Sequence, residues 1–169
     1  IGILFLVPSS LLSTVSALSA QNIGAKKYDR ADKTLKYAVI ITVIFGVIAS
    51  TVIEFTAEQA VHLFTESDTV AVLGGQYLRS YVWDCAIAGI HFCFSGYFCA
   101  FGLSNISFIH NAASIILARI PLSYLASKMY ADTLFPMGMA APIGSLLSVI
   151  ICIAAFILMK KKPEKFKTL

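Results

Sequence analysis

Residues 21–36 read QNIGAKKYDRADKTLK and hold five of the chain's thirteen Lys and Arg residues, although apolar runs lie on both sides. A second basic segment, KKKPEKFK at residues 160–167, holds five more. Loops beside membrane spans that are rich in Lys and Arg stay in the cytoplasm. Two such segments on one side require an even number of crossings between them, and four apolar runs lie there. The pattern therefore predicts a membrane protein with both basic segments on the cytoplasmic face.

The composition supports several membrane spans. Hydrophobic residues make up 58% of the chain and charged residues 13%, whereas soluble domains carry about 25% charged residues. A helix needs about 20 apolar residues to cross the hydrocarbon core. Five continuous runs come close to or exceed this length, at residues 3–20, 37–55, 81–101, 108–126 and 138–159. Because the runs do not alternate as barrel strands do, we predict an all-α bundle of five transmembrane helices and a basic cytoplasmic tail at residues 160–169.

The remaining loops agree with this orientation. Residues 54–69 carry four acidic residues and no Lys or Arg, which is typical of an outer loop. A helix over residues 70–101 would be about 48 Å long, which exceeds the bilayer core. We therefore expect residues 73–79 at or beyond the outer interface. Since the basic residues cluster beside spans, we predict contact with membrane lipid and no nucleic-acid partner.

Motifs for catalysis and for metal binding are missing from the sequence. It contains no phosphate loop, nucleophile elbow or HExxH pair. His62 and His110 are expected in or near loops and lack metal-like spacing. The cysteines fall inside apolar runs without a CxxC pair, and we expect them to act as small apolar residues: Cys85, Cys93, Cys99 and Cys152. We predict no enzyme, no metal site and no cofactor.

Asp84 is the main candidate for a functional residue, because a carboxylate in an apolar run is costly. It would bind a cation or substrate, or form a structural ion pair with Arg119. Counted from the inner turn, Asp84 lies at about 27 Å and Arg119 at about 21 Å, a gap that a long Arg side chain can cover. Arg119 could instead extend outward to the interface. His91, one to two turns below Asp84, would titrate near neutral pH or pack as a neutral ring.

The first apolar run carries a polar stripe. Ser9, Ser13 and Ser16 follow helical spacing, so they share one face. Such a face packs closely on another helix or lines a watery cavity, and a substrate-binding role is open. Three prolines are predicted to kink their helices, either as hinges or as fixed curvature: Pro8, Pro121 and Pro142.

Five stretches, in order and spacing, resemble the multidrug and toxic compound extrusion (MATE) family across nearly the whole chain. The first, QNIGAKKYDRADK (residues 21–33), is similar to the end of the family's eighth helix, and the second, GGQYLRSYVWD (residues 74–84), to the "yLR" start of the tenth. The third is the turn near Gly102, where the family has a glycine-rich turn. The last two are ARIPLSYL (residues 118–125), similar to the R-[IV]-P-L of the eleventh helix, and GMAAPIG (residues 138–144), similar to the entry to the twelfth. Each stretch alone is weak, and their combination carries the resemblance.

The resemblance implies helices eight to twelve of a twelve-helix transporter, which form most of its C-terminal lobe. The chain would then be a fragment, as its start at Ile1 also suggests, and its partners would be the missing N-terminal lobe and a small organic substrate. Members export organic, often cationic compounds from the cell by antiport with Na⁺ or H⁺. The resemblance implies a monomer when full length, located in the cell membrane with a cytoplasmic C-terminus.

Some Na⁺-coupled members of that family use an acidic residue in the tenth helix. Counting back from Gly102 puts that position near Ala88, one turn after Asp84, so the role does not transfer residue for residue. Many bacterial members have their coupling site in the N-terminal lobe.

Two alternatives stay open. A flippase for lipid-linked precursors or polysaccharide units shares the broader architecture, but it would need more cations in its cavity than Arg119 alone. A complete five-helix scaffold subunit would need a partner chain to cover the polar faces. About seven further spans upstream of Ile1 would favour the transporter over the scaffold.

The orientation can be tested by labelling oriented vesicles. We expect impermeant reagents to reach Glu66 and Lys162 from opposite sides, because the outer loop and the basic tail lie in different compartments. Labelling of both residues from the same compartment would contradict the predicted topology.

Overall fold

The computed structural model describes residues 2–130 and 132–161, and within these ranges every regular element is a helix. The α-helices are α1 (Leu6–Gly24), α2 (Tyr28–His62), α3 (Asp68–Tyr81), α4 (Asp84–Ala100), α5 (Ser104–Ser114), α6 (Ile120–Met129) and α7 (Phe135–Lys161). A π-helical segment, Ile115–Arg119, joins α5 to α6. The predicted all-α class is confirmed, whereas most of the predicted basic tail, from residue 162 onward, lies outside the described residues.

Helix α4 lies at the centre of the bundle. It packs against α1 and α2 on one side and against α7 and α5 on the other. Helix α3 contacts α2 and α7, and the unit formed by α5, the π-helical segment and α6 follows α7 along its length. The arrangement makes α4 and α7 the two helices through which the others are joined.

Three continuous helices of the described chain are long and apolar enough to cross a membrane: Tyr28–His62, Ser104–Met129 and Phe135–Lys161. Helices α3 and α4 together would supply a fourth span, although they are bent by 43° at a short break. Helix α1 is not among these candidates, since its nineteen residues include six Ser and Thr. The structure thus supports three or four spans by length and composition.

The helices and loops differ in places from those expected from the sequence. Helix α2 extends from Tyr28 to His62, about 52 Å at 1.5 Å per residue, so both predicted loops beside it are mostly helical. The predicted single helix over residues 70–101 is divided at Val82 and Trp83. Gly102 follows α4 with φ of 73°, a left-handed conformation that Gly adopts without strain, and this allows the tight turn into α5.

Large apolar side chains point outward and small side chains point inward. The buried residues of α2 are mostly small: Ala31, Leu35, Ala38, Thr42, Gly46, Ser50 and Ala57. In the middle of the helix its exposed residues include large apolar ones such as Ile40, Ile44 and Ile48. This distribution is the one expected where lipid surrounds the bundle, because small residues let helices approach closely and hydrocarbon solvates the large ones.

Two glycines bring α2 and α4 into backbone contact. A Cβ at Gly46 would overlap the backbone of Ala86, and a Cβ at Gly89 would overlap the Thr42 hydroxyl. The interface therefore depends on two positions without a side chain, Gly46 on α2 and Gly89 on α4.

Gly46→Val is expected to lower the stability of the purified protein by about 1–3 kcal/mol, because α2 and α4 must separate to admit the new side chain. Gly24→Val is the matched control, since no atom lies within 4 Å of a Cβ built there. Thermal unfolding in detergent measures both variants. Equal melting temperatures for Gly46→Val and the control would contradict this packing.

Candidate functional site

An ion pair between Asp84 and Arg119 lies inside the bundle. Asp84 stands in the first turn of α4 and is completely buried, and its Oδ2 accepts a hydrogen bond from Arg119 Nη2 at 3.1 Å. The Arg119 side chain is 30% exposed. A buried carboxylate needs a partner that replaces its lost hydration. The structure thus brings together the two residues that the sequence suggested as a pair.

Ser145 of α7 connects this pair to His91. Arg119 Nη2 donates a second hydrogen bond to Ser145 Oγ at 2.7 Å, and Ser145 Oγ lies 3.4 Å from His91 Nε2. His91 is 2% exposed and stands about two turns below Asp84 on the same face of α4. Asp84 and His91 are therefore linked through two other side chains rather than by direct contact.

His110 forms the next part of the cluster, and its expected place in or near a loop was wrong. It is buried within α5, with its ring 5.5 Å from the His91 ring between centroids. Its Nε2 lies 2.8 Å from Ser95 Oγ and its Nδ1 lies 3.3 Å from Ser148 Oγ. Both ring nitrogens thus have a hydroxyl partner.

Ser107 and Cys99 lie beside the cluster, near the turn that joins α4 to α5. Ser107 Oγ donates a hydrogen bond to the Ser95 carbonyl at 3.2 Å, and Cys99 Sγ lies 3.8 Å from Ser107 Oγ. Cys99 is exposed near the turn that follows α4. We call the set of these side chains the polar network: Asp84, Arg119, Ser145, His91, His110, Ser148, Ser95, Ser107 and Cys99.

The π-helical segment positions Arg119. Pro121 has no N–H to donate and its ring would meet the carbonyl four residues earlier, so the helix widens just before it, with Ile120 N–H bonded to the Ile115 carbonyl. Gly144 of α7 leaves the space that Arg119 occupies, since a Cβ there would overlap Arg119 Cγ. The predicted kink at Pro121 thus corresponds to a π-helical turn that ends at Arg119.

The other two prolines lie in different settings. Pro8 occupies the first turn of α1, where the N–H of a residue has no helical acceptor, so it removes no helical hydrogen bond and the expected bend has no cause there. Pro142 lies inside α7 and is buried, two residues before Gly144.

Three polar atoms of the network are buried without a hydrogen-bond partner in the described chain: Asp84 Oδ1, His91 Nδ1 and Arg119 Nε. Orphaned polar atoms in a native interior are uncommon and often mark a functional position. Here all three belong to charged or ionisable side chains within one cluster, so the network keeps unused capacity to accept or donate hydrogen bonds.

The serine stripe of α1 lies away from the polar network. Ser9 and Ser13 are exposed, whereas Ser16 is half-buried, with its backbone close to Gly96 of α4. The Ser9 hydroxyl donates to the carbonyl of Leu6 at 3.0 Å, one turn earlier in the same helix. The stripe therefore presents a small polar surface on the outside of this bundle.

A second polar contact, which the sequence did not suggest, joins the inner ends of three helices. Asp32 of α2 forms an ion pair with Lys160 of α7, and its Oδ1 accepts a hydrogen bond from the Tyr97 hydroxyl of α4 at 2.6 Å. The Lys160 ammonium also lies 5.5 Å from the Phe156 ring centroid. These contacts hold α2, α4 and α7 together at the end of the bundle where α2 begins and α7 ends.

Sequence reasoning missed three residues of the polar network, Ser95, Ser145 and Ser148, and misplaced a fourth, His110. The signal for two of them was periodicity: Ser95 lies four residues after His91, and Ser148 three residues after Ser145, spacings that keep each pair on one helix face. The described residues contain no group of three or more His, Cys, Asp or Glu side chains that could hold a metal ion.

Comparison with known proteins gave one family. The family model MatE matches residues 1–125 of the chain. Neither the comparison with curated proteins nor the comparison with solved structures gave a match.

Arg119→Gln is expected to lower stability by about 2–4 kcal/mol, because it leaves Asp84 buried without a cation. The double variant Asp84→Asn/Arg119→Gln should recover part of that loss. Thermal unfolding in detergent of the wild type, the two single variants and the double variant measures the coupling between the two residues. Arg79→Gln is the control, since its 3.2 Å pair with Glu58 is partly exposed and should change stability by less than about 1 kcal/mol. Additive effects of the two single substitutions would contradict a coupled buried pair.

Proposed function

This chain belongs to the multidrug and toxic compound extrusion (MATE) family of membrane efflux transporters, and from that membership we propose that it is a secondary transporter that exports drugs or other organic, often cationic compounds in exchange for Na⁺ or H⁺. The family match does not favour the flippase or the scaffold subunit. The observation that carries the coupling role is the buried pair of Asp84 and Arg119, with an orphaned carboxylate oxygen and His91 attached through Ser145.

Coupling at this pair follows from electrostatics. Ionisable side chains at membrane depth are expensive, so those that persist there usually serve an ion or proton pathway. A cation or proton that reaches Asp84 competes with Arg119 for the same carboxylate, and the Arg119 guanidinium, whose side chain is 30% exposed, then keeps its charge without that partner. The contact between α4, the π-helical segment and α7 would then depend on whether the ion is bound, which links ion binding to helix packing.

We also propose that the bundle forms most of the C-terminal lobe of a twelve-helix protein, with α1, α2, α3–α4, α5–α6 and α7 as five spans. The exposed serine stripe supports this arrangement, because a polar face on a bundle otherwise covered with large apolar residues suits contact with another lobe or with a watery cavity. The stripe, with Ser9, Ser13 and Ser16, is then the candidate surface toward the organic substrate.

The proposed environment is the cell membrane, with the inner ends of α2 and α7 in the cytoplasm and the complete protein a monomer. Lys26, Lys27, Arg30 and Lys33 surround a depression at the start of α2, beside the apolar surface of the bundle. Their positive charge favours contact with anionic lipid head groups.

Asp84→Asn should reduce cation-driven ethidium efflux from cells by at least about fivefold, because it removes the ionisable group that couples cation entry to ethidium export. Asp68→Asn is the matched control, since the Asp68 side chain is 96% exposed at the start of α3. Both variants are to be made in the complete transporter at equal expression. Unchanged cation-driven efflux in Asp84→Asn would remove Asp84 from the coupling mechanism.

A further inference from the structure

The depression at the start of α2 is strongly basic. It has a volume of about 640 Å³, and its lining contains four cationic side chains and one anionic one, which gives a net charge of +3. Within residues 2–130 and 132–161, no acidic side chain forms an ion pair with any of the four cations. The charge of the depression is therefore not neutralised by the described chain. The lining residues are Lys26, Lys27, Tyr28, Asp29, Arg30 and Lys33.

The backbone between α1 and α2 holds these cations in place. Lys26 has φ of 57°, and its N–H donates to the Ile23 carbonyl at 2.8 Å. A left-handed residue of this kind commonly closes the C-terminus of a helix. On the other side of the loop, the Tyr28 ring stacks on the Phe101 ring with 6.5 Å between centroids, which packs the start of α2 against the turn after α4. The depression is thus bounded by a closed turn and an anchored helix.

The face of α2 that carries two of the cations continues as an apolar stripe. Arg30 and Lys33 are followed on the same face by Tyr37, Ile40 and Ile44, at spacings of three and four residues. All five side chains are exposed, and the face extends about 17 Å along the helix axis from Lys33 to Ile44. A ligand on this face meets positive charge at the start of the helix and large apolar side chains beyond it, which is the order of groups that a membrane lipid requires.

We propose that the depression binds the headgroup of one phospholipid that carries a phosphate monoester, and that the acyl chains of this lipid lie along the exposed apolar face of α2. The site depends on the proposed function, because only a chain in a membrane meets such a lipid. It adds to that function a single saturable site and the class of lipid that occupies it.

The net charge favours a monoester over a diester. A phosphate monoester carries about two negative charges at pH 7, whereas the phosphate of a diester lipid carries one, so the monoester neutralises more of the charge of +3. Lys and Arg side chains donate several N–H groups each, and their charge-assisted hydrogen bonds to phosphate are strong. Asp29 opposes binding, since its carboxylate lines the same depression and repels phosphate. The cations and Asp29 should therefore change the affinity in opposite directions.

The test measures lipid binding to the complete transporter, purified in a neutral detergent. Native mass spectrometry counts the bound lipids, and the rise in melting temperature with lipid concentration gives the affinity. Three probes share dioctanoyl chains: phosphatidic acid has a monoester, phosphatidylglycerol has a diester, and phosphatidylcholine has no net charge. Glycerol 3-phosphate supplies the monoester without chains. We expect one phosphatidic acid per protein, bound at least about fivefold more tightly than phosphatidylglycerol, and no saturation by glycerol 3-phosphate over the same concentrations.

Substitutions separate the depression from other charged positions. Lys27→Gln/Arg30→Gln should weaken the binding of phosphatidic acid by about 25-fold, since each cation removed costs about fivefold, whereas Asp29→Asn should strengthen it. The three replaced side chains are exposed, so the variants leave the packed interior unchanged. Lys128→Gln is the matched control, because Lys128 is exposed in the last turn of α6, outside the depression, and its replacement should leave the affinity unchanged.

Equal affinity for phosphatidic acid and either of the other two lipids would overturn the inference, as would unchanged binding in Lys27→Gln/Arg30→Gln. Binding of many lipids without saturation indicates diffuse attraction, and glycerol 3-phosphate bound as tightly as the lipid indicates a site for soluble phosphate; each result contradicts a lipid site. Ethidium movement by the same protein in vesicles tests the export function separately. A transporter that moves ethidium without binding phosphatidic acid loses only the lipid site, and lipid binding without ethidium movement counts only against export.

Discussion

The whole arrangement depends on the surroundings being hydrocarbon. Large apolar side chains gain little by moving from lipid into the bundle, so close approach of small residues and contacts between polar groups hold the helices together. Helix α2 follows this rule, with Gly46 and Thr42 toward α4 and isoleucines toward the outside. Polar side chains at membrane depth have no water to bind, and they must find each other. The polar network is the consequence, because it gathers the ionisable groups of three helices on one side of α4.

Positions far apart in sequence cooperate to hold Arg119 at Asp84. Pro121 cannot continue an ordinary α-helical hydrogen-bond pattern, and the π-helical segment that precedes it ends at Arg119. Gly144 supplies the space for the Arg119 side chain, and Ser145, the next residue, accepts one of its hydrogen bonds. Pro121 of α6, together with Gly144 and Ser145 of α7, therefore determines how Arg119 meets the Asp84 carboxylate on α4.

The order of the helices and the pairing of Asp84 with Arg119 could be predicted from the sequence, because both depend on composition and residue counting rather than on exact geometry. Basic and acidic loops mark the two ends of the bundle, and counting residues from the inner turn put Asp84 and Arg119 at similar heights. The break at Val82 and Trp83 was not predictable in this way, since both residues are apolar and neither is Gly or Pro. His110 was missed because the turn before α5 is shorter than expected, which places it two helical turns inside the bundle.

Helix faces were also hard to assign from the sequence, for a physical reason. In a soluble helix the polar face shows which side meets water, whereas both sides of a lipid-embedded helix are apolar. Small residues are then the better guide to the buried side, and on α7 they include Ser145 and Ser148. Periodicity of small and polar residues, rather than of apolar ones, would have located this part of the network.

Asp84 lies directly beside the bend between α3 and α4. It stands in the first turn of α4, immediately after the break, where the helix N-terminus favours a negative charge. Protonation of Asp84 removes that attraction and the pairing with Arg119 together. The two helices at the break contact different neighbours, since α3 packs against α2 and α7 while α4 also packs against α1 and α5. A change of charge at this residue therefore alters the electrostatics at the junction of α3 and α4, two helices that share α2 and α7 as neighbours.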